Sequence, residues 1–179
     1  QWHQLVFYNT ERGKETAVSV DLAGNTAEGG LGLDPAKSYH VHDFWNDHYV
    51  GALRGSGVLA QFLRPNETRM MSVHEVLSRP QVISTDRHVM QGLLELDKLT
   101  WDAAARVLSG TVRLPAGDPV TITMATNGFE AVECTADDAV GATLVASGTG
   151  EGLIKLRLAA DDGRVAKWQI GFQKPADKQ

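Results

Sequence analysis

Five of the six histidines in this 179-residue chain fall within residues 39–91, among aromatic and carboxylate side chains. The densest run is Tyr39-His40-Val41-His42-Asp43-Phe44-Trp45-Asn46-Asp47-His48-Tyr49-Val50-Gly51. A second, Ser84-Thr85-Asp86-Arg87-His88-Val89-Met90-Gln91-Gly92, closes the region. Imidazoles bind transition metals and move protons near neutral pH. His40 and His42 stand two apart, which on a strand puts both on one face. With His48, His74 or His88 they could give a metal three nitrogen ligands. Spacing assigns no carboxylate to complete such a site, and aromatic-rich strands also use His as a half-buried hydrogen-bonding group. The expectation is no metal and no cofactor, with His40 and His42 the candidates if a metal is held.

Asp86-Arg87-His88, with Glu75 and Asp43, has the residue types for acid–base chemistry. Glycoside cleavage needs paired carboxylates about 5 Å or about 6.5–9.5 Å apart, a distance that sequence cannot supply. The simpler reading is a salt-bridged network that pins a loop to a sheet, with Arg87 reaching Asp43 or Glu75. Ser72, Ser84 and Thr85 lie near histidines, but no Gly-x-Ser-x-Gly elbow surrounds them. No catalytic residue is expected within the chain.

The four tryptophans are the candidate sugar platforms, since the apolar face of a sugar ring stacks on an exposed indole. Trp168 shares a face with Ile170 and Phe172 and reads as core. Trp45 lies where Tyr39 and Val41 point and also reads as core. Trp101, beside a turn, is the first carbohydrate-binding candidate and Trp2 the second.

These residues ride on short strands. Residues 5–9 are apolar and end in the polar turn Asn9-Thr10-Glu11-Arg12-Gly13-Lys14. Thr16, Val18, Val20 and Leu22 then alternate with Ala17, Ser19 and Asp21, the two-residue period of a half-buried strand. The two runs are expected to pair as a hairpin. Residues 23–33 form a Gly-rich connection, and residues 37–45 and 58–63 are strands separated by a flexible corner at Arg54-Gly55-Ser56-Gly57. Pro80 marks residues 81–84 as an edge strand, because Pro cannot donate to a ladder. In residues 93–108 the run Ala103-Ala104-Ala105-Arg106 favours helix by propensity. The surrounding β pattern instead favours strand, turn, strand. Ile154, Leu156 and Leu158, opposed by Lys155 and Arg157, are expected to close through Asp161-Asp162-Gly163 onto Ala166, Trp168, Ile170 and Phe172 as a terminal hairpin. About a dozen strands with frequent turns and no βαβ alternation predict an all-β, antiparallel two-sheet β-sandwich, Greek-key or jelly-roll-like.

Composition narrows the partners. The hydrophobic fraction is 42% and the formal charge −5, so no basic face invites nucleic acid or an anionic membrane. No apolar run reaches the roughly 20 residues that span a bilayer. The lone Cys134 excludes an internal disulfide. One sandwich domain is expected over residues 1–174, with a frayed tail over 175–179. A strand that begins at Trp2, with no leader before it, suits a domain excised from a longer polypeptide.

The Asp43-Phe44-Trp45-Asn46 segment with Gly51 after it, the Val73-His74 element, and Pro80-Gln81-Val82-Ile83-Ser84-Thr85-Asp86-Arg87-His88-Val89-Met90-Gln91-Gly92 carry a family resemblance. Together with the opening strand, they make residues 1–125 resemble the C-terminal all-β domain of melibiase-like glycoside hydrolases, the α-galactosidase class. In that family two aspartates of a (β/α)₈ barrel do the chemistry. Such a barrel takes about 250 residues and has no counterpart in this chain. The resemblance therefore implies a non-catalytic accessory domain whose partner is the barrel of the parent chain. A carbohydrate-binding module and a small His-dependent metal-binding enzyme are the alternatives. Localisation stays open; a soluble, secreted or periplasmic larger enzyme fits.

Overall fold

The structure, a computed structural model, describes residues 2–147 and 152–175. Of the tail expected to fray, residues 176–179 lie outside the described residues. The chain is all-β and antiparallel, with no α-helix among the described residues. Among the described residues no helix is long and apolar enough to cross a membrane. Where the sequence reading drew one domain, the residues gather into two compact units, Gln1–Val76 and Leu77–Gln179, each with its own apolar cluster. Turn spacing identifies strands but does not say which of them share a core.

The first unit holds β1 (Trp2–Tyr8), β2 (Thr16–Asp21), β3 (Ser38–Asp43), β4 (His48–Arg54), β5 (Val58–Leu63) and β6 (Thr68–Glu75). One sheet runs β1-β6-β3-β4, and β2 pairs with β5 as a separate ribbon. The expected β1–β2 hairpin does not form. β1 instead pairs with β6, setting Leu5 opposite Met71, while Ala17 of β2 faces Phe62 of β5. Asn9 diverts the chain between them. Its amide donates to the carbonyls of Leu63, Arg64 and Lys14 at 3.1, 3.0 and 2.8 Å, and its Oδ1 accepts from Glu11 N. A buried carboxamide so fully engaged fixes the loop in a way that no two-strand period could forecast. Tyr39, Val41, Met71 and Val73 point to one side of the sheet and pack with Leu22, Leu33 and Leu59.

The second unit is a β-sandwich. One sheet has the order β12 (Gly141–Ser147), β13 (Leu153–Ala159), β10 (Val120–Ala125), β7 (Gln81–Thr85). The other has β11 (Glu130–Ala136), β14 (Arg164–Gln173), β9 (Val107–Leu114), β8 (Leu96–Asp102). β7 takes the edge that Pro80 predicts. Residues 96–114 are strand, turn, strand as expected, with β8 and β9 paired and Arg106 at φ 55 in the turn. The expected terminal hairpin is corrected: β13 pairs with β10 and β12, whereas β14 pairs with β9 and β11. The turn at Asp161-Asp162-Gly163 therefore carries the chain from one sheet to the other. The apolar faces of β13 and β14 were read correctly, and they meet across the core, where Leu156, Leu158, Trp168 and Ile170 are all buried.

The supposed flexible corner after β4 is close-packed. Gly55 N donates to Lys37 O at 2.8 Å, and a Cβ on Gly55 would stand 2.1 Å from the Asp34 carbonyl oxygen. Backbone cannot yield as a side-chain tip does, so Gly55→Ala is expected to cost about 1–3 kcal/mol. Gly13, with nothing within 4 Å, is the control. Urea unfolding should show a lower midpoint for Gly55→Ala and little change for Gly13→Ala.

Candidate functional site

β3 is buried on both sides, so its alternation divides it into an apolar face and a histidine face. His40 and His42 do share a face, as their spacing predicts. His40 lies opposite His74 and His42 opposite Ser72, and Trp2 of β1 stands on the other side of His74. All three imidazoles are buried. His40 Nδ1 meets the Tyr49 hydroxyl at 2.8 Å, and His42 Nε2 lies 3.5 Å from Asp47 Oδ1. His48 and His88, the other suggested ligands, are exposed. Among the described residues, no group of three or more His, Cys, Asp or Glu side chains is placed to hold a metal.

On the opposite face Asp43 has no exposed surface. Its Oδ2 accepts from Asn46 Nδ2 at 2.7 Å and lies 3.4 Å from Arg69 Nη1. The same guanidinium donates to Gln61 Oε1 at 2.9 Å and, through Nε, to Glu67 Oε1 at 3.0 Å. Arg69 thus ties β6 to the end of β3 and to the ribbon strand β5. The sequence reading proposed Arg87 for this task. That is corrected: Arg87 pairs with Asp118, and Glu75 pairs with Lys37 at 2.9 Å. Asp86 bonds the backbone of Thr121, and His88 Nδ1 accepts from Met90 N. These contacts pin the loop after β7 to its neighbouring strand. Thr85 and Ser84 donate to Glu95 and Gln91 rather than to a histidine.

The tryptophans divide differently from the expectation. Trp168 is core, 2% exposed, but Trp45 is 59% exposed. β3 stops at Asp43, and the turn through Asp47, at φ 45, breaks the alternation that had assigned Trp45 to the core. Its ring meets Phe44 edge-on at 4.9 Å. Trp2 is half-buried with its ring 4.5 Å from His74, so it is committed to an imidazole. Trp101 is half-buried, held edge-to-face by Phe129 and Phe172 at 5.7 and 6.0 Å. It lines a recess of about 500 Å³ with Ser78, Arg79, Arg106, Phe129 and Lys174. Sequence reasoning found Trp101 and missed the three cations, which come from separate stretches of chain and form no motif. A second groove, of about 470 Å³, crosses the outer face of the β11-β14-β9-β8 sheet between Lys98, Thr111, Thr135 and Lys167. No protein-family model and no curated protein matches the chain.

Two outcomes follow from the Arg69 network. Arg69→Met leaves the sealed Asp43 carboxylate with Asn46 alone and should cost about 1–3 kcal/mol in chemical denaturation. The amide of Arg64 and the Arg69 guanidinium both bond the Glu67 carboxylate and hold its pKa below the usual value. A depressed pKa stabilises the fold above the unfolded value of about 4.3. That contribution is lost as pH falls through the lower folded value. Glu67→Gln should therefore lower Tm at neutral pH, and the gap from wild type should close below about pH 4.

Proposed function

We propose that this chain is a non-catalytic accessory β region of a melibiase-like glycoside hydrolase. Its work is to pack against the catalytic barrel and stabilise it. The observation that supports this reading is the second face of the β1-β6-β3-β4 sheet. Across β1, β6 and β3 that face carries no Asp, Glu, Lys or Arg. At one end of it Val6 and Tyr8 stand 59% and 53% exposed beside Met70. Exposed apolar surface of this kind is poorly solvated, and the centre of a protein interface is depleted of charge and enriched in Tyr and Met. The histidines of this face are placed to brace a sheet, and the carboxylates of the opposite face are occupied by Arg69, Asn46 and Lys37.

The test compares a melibiase-like barrel expressed alone with the same barrel fused to this chain. The fusion is expected to raise the barrel's Tm by several degrees, since binding to the folded state alone stabilises it. Val6→Lys with Tyr8→Lys should remove that gain while leaving the melting of the isolated chain unchanged. Identical barrel melting with and without the chain would overturn the reading, as would release of galactose from melibiose by the isolated chain.

A further inference from the structure

The recess around Trp101 has a chemistry of its own, independent of the docking role. Its charged lining residues are Arg79, Arg106 and Lys174, and none of its lining residues is acidic. Among the described residues no carboxylate pairs with any of the three. A chain of formal charge −5 has thus gathered three cations, without a carboxylate partner among the described residues, around one half-buried indole. Like charges gathered at one recess favour an anion between them, whose binding relieves their mutual repulsion. Arg79 is partly oriented, with Nη1 3.2 Å from the Pro80 carbonyl. Trp101 is fixed by its two Phe neighbours.

We propose that this recess binds an acidic sugar, a pyranose bearing a carboxylate or sulfate. The guanidinium groups take the anionic substituent, for which their planar fork is shaped. The C–H face of the ring packs on Trp101 and Phe129, and Ser78 is placed for a ring hydroxyl. A volume near 500 Å³ is in the range of small-ligand sites and suits one or two pyranose rings.

The test titrates the whole chain with digalacturonate, its neutral counterpart galactobiose and inorganic sulfate, following tryptophan fluorescence. Digalacturonate should change the emission saturably, and the change should weaken as ionic strength rises past about 0.15 M. Trp101→Phe should abolish the signal. Arg106→Gln, an exposed turn substitution, should weaken binding by about tenfold or more, as should Arg79→Gln. No response to digalacturonate or to a sulfated galactoside, an equal response to galactobiose, or an affinity unchanged by Arg106→Gln would each overturn the proposal. So would sulfate binding as tightly as digalacturonate, which would mark the recess as a general anion trap. A sulfated galactoside binding in place of the uronate would uphold it, with sulfate as the substituent.

Discussion

A carboxylate with no exposed surface cannot stand alone, and Asp43 sets the terms for the unit that contains it. Desolvation of an ionised group is offset only by close, well-directed partners. Asn46 supplies one from the turn that follows β3, and Arg69 supplies the other from β6. The bond to Asn46 fixes the path of the turn and so leaves Trp45 outside. The guanidinium, engaged with Glu67 and Gln61 as well, joins the sheet to the ribbon at β5. One buried charge thereby holds three separate stretches of chain.

The same economy governs the histidines. A strand buried on both sides must place something on its second face, and β3 places imidazoles there. An imidazole packs like an aromatic ring and also donates or accepts at its edge. His40 uses that edge on Tyr49, and His74 offers its ring to Trp2. Clustering of this kind resembles a metal site in sequence because both need His at alternate positions. The two differ in whether three ligands converge on one point, a property of space that spacing along the chain does not contain.

Charge is distributed unevenly over the two units, and that unevenness underlies both functional readings. Charged side chains are missing from the β1, β6 and β3 positions of one sheet face in the first unit, and three cations gather around Trp101 in the second. The first arrangement fits a flat protein partner, which excludes water over a wide area. The second fits a small anionic ligand with an apolar ring face. Neither surface demands anything of the other, so a domain can brace a neighbour and hold a sugar at separate places.

The sequence by itself determined the strands and most of their faces. Two-residue alternation placed Leu156, Leu158, Trp168 and Ile170 in a core and put His40 and His42 on one side, and the surrounding β pattern overruled the helix propensity of residues 103–106. Pro80 marked an edge strand because a missing donor has the same consequence in any fold. Pairing was another matter. β1 joins β6, β13 and β14 part to opposite sheets, and the apolar residues collect into two cores, all through contacts between residues far apart in sequence. Alternation is a local property, whereas strand partners are chosen by the long-range packing that buries each face. The candidate sites follow the same division. Trp101 was legible as an aromatic residue beside a turn, and Arg106 belongs to that same turn, but Arg79 and Lys174 became its neighbours only when stretches distant in sequence converged. The exposure of Trp45 likewise depended on a buried aspartate that halted the strand one side chain before it.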